Sequence, residues 1–374
     1  MKKIKLGLDV RTMSPEGSGI GRVEIEIVKR LIYKLPKDKW EIHLFPGKDA
    51  KVNFDMQENV VIHDEVRKYN STAKRAVWYI PFFAKKYKID LFHSLDFLGP
   101  AWKKGFKLVQ TIHDIIPLLF SKEASYKSLF MCKYIMPFMY KADDIIIAFS
   151  LNTKNDLLKN YKIDEKKIKV IPLAGRDEFK KEIPVFKIEE IKKKYGIDKK
   201  YFIFTGTLEP KKNVVRIGEA FSQINKKFHD FNMVFVGQKG WNIDKLYEIA
   251  KESKDIIFTG FVPDDDLIAL VKGAFCFIFP SIYEGFGLPV LDAFNAGVPL
   301  ITSNAASIPE IAGDAALLVN PYSTDEIVKA MEIIIENQNI RNELINKGKI
   351  QAKKFSWDKT VDTIINLYEE LLNG

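Results

Sequence analysis

Two α/β domains in tandem, each a parallel sheet of the Rossmann type, are the fold this sequence predicts. Three observations lead there. Short apolar runs alternate with amphipathic helical stretches along all 374 residues. The runs are apolar on consecutive residues, as in strands buried on both faces. The alternation breaks once, over 180–200, where Lys, Glu and Pro leave little to pack, and then begins again.

The first series opens with an apolar run over 3–10, a loop Thr12-Met13-Ser14-Pro15-Glu16-Gly17-Ser18-Gly19, and helical spacing at Val23, Ile27, Val28 and Leu31. Strand, glycine loop and helix form the opening of a Rossmann-like unit. Further strands are expected over 40–45, 90–93, 107–112, 144–149 and 168–172, and in the second series over 201–206, 233–237, 256–260, 274–280, 299–302 and 316–319. An amphipathic helix over 357–372 ends the chain. The expected domains are 1–178 and 179–356, with 357–374 packing back on the first.

Composition bounds the function. Hydrophobic residues make up 47% and charged residues 29%, which excludes extensive disorder. No run reaches the roughly 18 apolar residues of a spanning helix. The start Met1-Lys2-Lys3-Ile4-Lys5-Leu6 is not an export signal, and two cysteines, Cys132 and Cys276, fit a reducing compartment. A cytoplasmic location is expected. The net charge of +9 is uneven: residues 1–178 hold 33 basic against 22 acidic side chains, the remainder 25 against 27. An anionic partner would meet the first half, although solvated lysines alone also account for the excess.

The most informative segment follows the expected strand at 274–280. Tyr283-Glu284-Gly285-Phe286-Gly287-Leu288-Pro289 is a glycine loop leading into a helix, with Pro289 suited to its first turn and Gly297 to its C-terminal cap. The N–H groups of Phe286, Gly287 and Leu288 would then be free to bind a diphosphate. Glu284 and Asp292 could accept hydrogen bonds from sugar or ribose hydroxyls. Taken singly, Glu284 also reads as a loop charge and Asp292 as a first-turn acid matched to the helix dipole. Gly206-Thr207-Leu208-Glu209-Pro210-Lys211-Lys212-Asn213 places two lysines at a strand-to-helix turn, fit for a diphosphate or merely solvated. His113, in Thr111-Ile112-His113-Asp114, ends a strand of the first domain, and His93 is a weaker version of the same case; a lone histidine is more often structural. Asp264-Asp265-Asp266 looks like an acidic metal motif but follows Pro263 and opens a helix, so capping and the helix dipole account for it. No essential metal and no cofactor are expected. Gly17-Ser18-Gly19-Ile20-Gly21 lacks the dinucleotide-binding glycine spacing, which disfavours a dehydrogenase.

Together, Glu284 to Asp292, Gly206 to Asn213, Thr111 to Asp114, Gly17 to Arg22 and Ser307 to Asp314 resemble the retaining glycosyltransferases of family 4. The resemblance implies the GT-B fold, two Rossmann-like domains with parallel sheets facing across a cleft. It implies transfer of a hexose from a nucleotide sugar to a hydroxyl, with retained configuration. On it, Glu284 holds donor-sugar hydroxyls, Phe286, Gly287 and Leu288 present amides to the donor, and Lys212 neutralises the leaving diphosphate. His113 is the active-site histidine, and Gly19 with Arg22 belongs to the glycine loop near the phosphates. Two departures stand out: the second acid is Asp292 instead of Glu, and Thr207 replaces a common basic residue, leaving Lys211 to supply that charge. Thr-Ile-His-Asp and Gly-Thr-Leu-Glu-Pro resemble mannosyltransferases, so GDP-mannose is the first expected donor, with a UDP-hexose open.

The acceptor is expected to be a glycan or lipid-linked glycan of the cell surface, and no nucleic-acid partner is expected. Residues 66–88 hold Arg67, Lys68, Lys74, Arg75, Lys85, Lys86 and Lys88 and no acid, with Trp78, Tyr79, Phe82 and Phe83 between them. A second aromatic and Met-rich run spans 126–140. This mixture suits the anionic inner face of a membrane; the other reading makes the aromatics core. A soluble sugar acceptor, or a non-catalytic nucleotide-sugar-binding protein, remains the alternative.

Overall fold

The computed structural model describes the chain except Met1, 15–18, 53–56, Asn70, Lys104, 122–123 and the side chain of Thr72. Gly17 and Ser18 of the glycine loop therefore lie outside the described residues. The chain divides into two compact units, Met1–Leu173 with Ser356–Gly374, and Ala174–Phe355. Residues 174–178, assigned above to the first domain, thus belong to the second unit, because Gly175 and Arg176 rest against Leu291, Asp292 and Asn295.

In the first unit seven strands pair in the order β3-β2-β1-β4-β5-β6-β7, all parallel. They are β1 (Ile4–Val10), β2 (Trp40–Pro46), β3 (Val60–Ile62), β4 (Leu91–Ser94), β5 (Lys107–Ile112), β6 (Ile145–Ala148) and β7 (Ile168–Val170). β3 escaped the sequence reading because three residues at a sheet edge carry no usable period. Helix α1 (Gly19–Lys34) buries Val23, Ile27, Val28, Leu31 and Ile32. The terminal helix Trp357–Asn373 packs on this unit: Lys34 pairs with Asp358 at 3.0 Å and Asp362 at 2.8 Å, and Thr360 Oγ1 donates to Pro172 O at 2.6 Å.

The second unit carries six parallel strands in the order β10-β9-β8-β11-β12-β13. They are β8 (Lys200–Thr205), β9 (Phe231–Val236), β10 (Ile256–Gly260), β11 (Cys276–Phe279), β12 (Leu300–Ser303) and β13 (Leu317–Val319). β9 and β11 are buried at every position, which is why their sequences are continuously apolar. In both sheets the strand order reverses once, at β1/β4 and at β8/β11. Open α/β sheets bind ligands outside the carboxyl ends of their strands at such a point.

The basic and aromatic runs split by helical face. Phe83, Met131, Met136 and Met139 are core, whereas Trp78, Phe82, Tyr126, Phe130, Tyr134 and Phe138 are exposed. Arg75, counted above among the surface cations, is buried and pairs with Asp9 at 2.7 Å.

His93, at the end of β4, is fully enclosed between the Tyr368 hydroxyl (2.5 Å from Nδ1) and Thr111 Oγ1 (2.8 Å from Nε2). It ties the terminal helix to the sheet as a neutral ring. Burial pushes its pKa from 6.5 down to about 3. The folded state therefore refuses a proton that the unfolded chain accepts. The contribution is complete above pH 6.5 and is lost below it by up to about 1.4 kcal/mol per pH unit. In urea unfolding at pH 6.5 and 4.5, His93→Gln is expected to lose about 2 kcal/mol less than the parent over that interval.

Candidate functional site

At the reversal of the second sheet stand the loops after β8 and β11, and backbone crowding shapes the first. Gly206 and Gly237 hold φ of +135° and +145°, and a Cβ on Gly237 would stand 2.0 Å from Gly206 O. Only glycine permits that approach. The chain then makes one tight turn, Pro210–Lys212, and Asn213 adopts the left-handed conformation with φ of +64°. Its side-chain amide donates to Pro280 O at 3.0 Å and Pro321 O at 2.5 Å, and Ile282 N–H donates to Lys211 O at 2.8 Å.

These clasps bring Lys212 against Glu284, with Nζ 2.6 Å from Oε1. Both side chains keep some exposure, 17% and 11%, so the pair borders the crevice. Lys212 also lies 5.2 Å from the centre of the Phe279 ring. Ser307 Oγ, 2.9 and 2.8 Å from the carbonyl oxygens of Glu284 and Phe286, holds the glycine loop in shape. Helix α2 (Leu288–Ala296) follows, with Pro289 in its first turn and Gly297 at its carboxyl end with φ of +73°. Gly287, at φ of +106°, caps its start, where a Cβ would meet Ile308 at 2.7 Å. Among the described residues no acceptor is recorded for the N–H groups of Phe286, Gly287 and Leu288. Three such donors at a helix N-terminus, beside a lysine, form a natural anion site.

Other expected residues have different surroundings. Thr207 is exposed. Lys211 pairs with Glu209 at 3.2 Å. Asp292 is buried and engaged: Oδ1 accepts the Arg176 N–H at 2.9 Å, and Oδ2 accepts both Nε and Nη2 at 2.9 Å. The acidic run at Asp264 makes no side-chain cap. Instead Asp266 takes Lys194 at 2.6 Å and the Tyr195 hydroxyl at 2.7 Å, and Asp264 faces Arg176 at 3.5 Å. The expected cap is thus absent, but all three acids stand in the first turn of the helix, where the dipole favours them, and two of them add long-range ion pairs.

In the first unit His113 follows β5. Its Nε2–H donates to Leu95 O at 2.9 Å and its ring meets Phe149 edge-on at 5.0 Å. That tautomer leaves Nδ1 as an acceptor. Gly19 is the first residue of α1 and has open space around it, and Arg22 is half-buried. The glycine that packing demands is Gly21, where a Cβ would stand 2.4 Å from Thr12 O. Asn213, Ser307 and Arg176 received no role from sequence. Asn213 lay within a recognised motif, but its αL turn becomes visible only with coordinates.

Comparison with known proteins agrees with this geometry. Residues 26–174 match Glycosyltransferase Family 4, and residues 187–351 match Glycosyl transferases group 1. The O-antigen chain mannosyltransferase B of Escherichia coli is 26% identical over 95% of this chain and 96% of its own. Among solved structures, sucrose-phosphate synthase from Thermosynechococcus elongatus superposes with a TM-score of 0.79 at 16% identity, over 99% of this chain and 100% of that one. HepE of Anabaena, solved with UDP and glucose, does so at 0.75 and 16% identity, over 98% and 100%. Both neighbours share the two-domain parallel α/β fold.

The Asp292–Arg176 clasp has a measurable consequence. Arg176→Ala removes the guanidinium from Oδ2 of a buried carboxylate, leaving only the backbone N–H on Oδ1, and is expected to destabilise the second unit by about 1–3 kcal/mol. Asp292→Asn should cost a similar amount, and the double variant less than the sum, in urea titrations.

Proposed function

This chain is a two-domain glycosyltransferase, a family 4 domain followed by a group 1 domain, and we propose that it moves mannose from GDP-mannose to a hydroxyl of a lipid-linked glycan, with retention and without a metal. The observation that carries the reading is the Lys212–Glu284 pair beside the three amides at the start of α2. As the bond from the anomeric carbon to the diphosphate breaks, negative charge collects on the leaving oxygen. A fixed ammonium and aligned N–H groups stabilise it without reorganising, each worth roughly 3 kcal/mol in such a site. Glu284, restrained by Lys212, accepts hydrogen bonds from hydroxyls of the donor sugar.

Glu284 is paired with a lysine and Asp292 with Arg176, which supports front-face departure over a double displacement needing two carboxylates about 5 Å apart. Asp292 contributes to the ribose only through the lone pair that Arg176 leaves on Oδ1. Nδ1 of His113 serves the acceptor side as a hydrogen-bond acceptor. The O-antigen mannosyltransferase relative supports mannose and a cell-surface polysaccharide.

Peripheral attachment to the inner face of the membrane belongs to the same proposal. The exposed face of 126–142 carries Tyr126, Phe130, Tyr134 and Phe138 with Lys127, Lys133 and Lys141, and that of 74–86 carries Trp78 and Phe82 with Lys74, Lys85 and Lys86. Neither stretch contains an acid. Aromatic rings at headgroup depth and lysines worth about 1 kcal/mol each suit an anionic surface. Among the described residues no helix is long and apolar enough to cross a membrane.

Glu284→Ala and Lys212→Ala are each expected to lower turnover at least about 100-fold with the fold intact, and EDTA to leave activity unchanged. Normal transfer by Glu284→Ala, or loss with EDTA restored by manganese, would refute the mechanism. A thermal-shift panel of GDP- and UDP-sugars should give its largest rise with GDP-mannose. Vesicles containing anionic lipid should sediment the protein at low salt and release it at high salt. No sedimentation, with full activity on a short soluble glycan, would replace the lipid-linked acceptor by a soluble one.

A further inference from the structure

Two buried histidines face each other at the β3 edge of the first sheet, and neither takes part in the transfer proposed above. His43 lies within β2, and His63 directly follows β3. Their rings are nearly parallel, with centres 5.1 Å apart, and His43 Nδ1 stands 2.8 Å from His63 Nε2. Each outer nitrogen faces a carboxylate: His43 Nε2 lies 2.7 Å from Glu41 Oε1, and His63 Nδ1 lies 3.4 Å from Glu65 Oε1. Lys5 of β1 reaches the same Glu41 oxygen at 3.2 Å. The Tyr87 hydroxyl donates to Glu65, its ring covers that of His63 with centres 3.9 Å apart, and Lys86 Nζ lies 4.9 Å from the centre of the Tyr87 ring. One polar chain, Lys5–Glu41–His43–His63–Glu65–Tyr87, thus ties β1 and β2 to the turn Asp64–Val66 and to the end of the helix Ile80–Lys86.

The protons of this chain can be counted. A nitrogen-to-nitrogen contact of 2.8 Å is a hydrogen bond and holds one proton. Two neutral imidazoles carry two N–H groups, and one further proton makes three, one for each contact from Glu41 to Glu65. A fourth would set N–H against N–H between the rings. The closed pair therefore holds at most three protons, whereas two separated rings in acid hold four. Burial, the largest influence, lowers the pKa of both histidines; Glu41 and Glu65 pull upwards, while Lys5 acts against His43, and His43 and Lys86 act against His63. Burial raises the two carboxyls, but bonds from Lys5 and His43 to Glu41, and from Tyr87 to Glu65, hold both below their usual values. Acidification to pH 5 thus acts on the rings.

We propose that His43 and His63 form a pH-operated latch on the edge strand, closed while one proton is shared between the facing nitrogens and opened by the proton that makes both rings cationic, which frees residues 59–67 from β2 and Tyr87 from the turn. β3 pairs with β2 over three residues only, and the N–H of His63 itself donates to Leu44 O at 2.9 Å, so this edge yields before the sheet does. Opening takes up a proton that the closed pair refuses. The closed form is therefore favoured in full above pH 6.5, the ordinary histidine value, and one proton shifts the balance towards the open form up to about 30-fold between pH 7.5 and pH 5. The helix that ends at Tyr87 exposes Phe82, Lys85 and Lys86, so opening loosens this basic and aromatic face. The latch itself does not rest on what that face meets.

The test is amide hydrogen exchange of the full chain at pH 7.5 and pH 5, read by mass spectrometry and expressed as protection factors, which removes the pH dependence of the intrinsic rates. Strand β5 serves as the internal reference, since it registers any global loss, including the one from His93. From pH 7.5 to pH 5, protection of residues 59–67 is expected to fall at least about tenfold more than that of β5. In His63→Gln the amide can turn either its oxygen or its nitrogen towards His43, so no proton is refused and the extra fall should disappear. His43→Gln is expected to behave in the same way, and either variant decides the matter if the other does not fold. Equal falls for 59–67 and β5 in the parent, or an undiminished extra fall in a folded glutamine variant, would overturn the latch and leave the two rings as packing.

Discussion

Everything in this protein that could do chemistry depends on backbone crowding at the carboxyl ends of parallel strands. Where the strand order reverses, neighbouring loops turn away from each other and a crevice opens between them. Those loops must cross adjacent backbone closely to do so. Gly237 passes Gly206 O and Gly21 passes Thr12 O at distances that no Cβ allows, and Gly287 holds φ of +106°. The polar clasps of Asn213 and Ser307 then hold the loops where the glycines let them go. The Lys212–Glu284 pair is a product of that arrangement, since its partners lie 72 residues apart.

Both units carry an ion pair at the reversal of the sheet, Lys212–Glu284 in the second and Arg11–Asp96 in the first. The second unit offers a lysine paired with Glu284 beside a helix N-terminus whose N–H groups suit a diphosphate. The first unit pairs Arg11 with Asp96 and Arg75 with Asp9, and burial together with nearby Asp96 raises the pKa of Glu24 well above the usual carboxylate range. Buried charges of this kind are costly unless paired. The strong basic excess of the first half lies elsewhere, on lysines such as Lys74, Lys85, Lys127 and Lys133 that flank exposed aromatic rings.

Alternation of apolar runs with helical periods was enough to read twelve of the thirteen strands among the described residues, because strands buried on both faces need no partner to be recognised. Pro289 and Gly297 marked the ends of α2 for a similarly local reason: fixed φ at one end, a left-handed cap at the other. The glycine loop before that helix, with Glu284 inside it and the lysines after β8, was legible as a motif.

What only the tertiary structure decided is the partner of each polar side chain. Asp292 reads as a first-turn acid in sequence, yet its carboxylate is closed by Arg176, 116 residues away. Asp266 reads as part of a cap and is bound by Lys194 and Tyr195. Arg75 reads as a surface cation and is buried on Asp9. The aromatic residues of 126–142 likewise divide between core and surface only when the helix meets its sheet. Burial of a strand on both faces is written in its own continuous apolar run, so a single chain announces it. Charge pairing is set by which loops the fold brings within a few ångströms, and no local pattern encodes that distance.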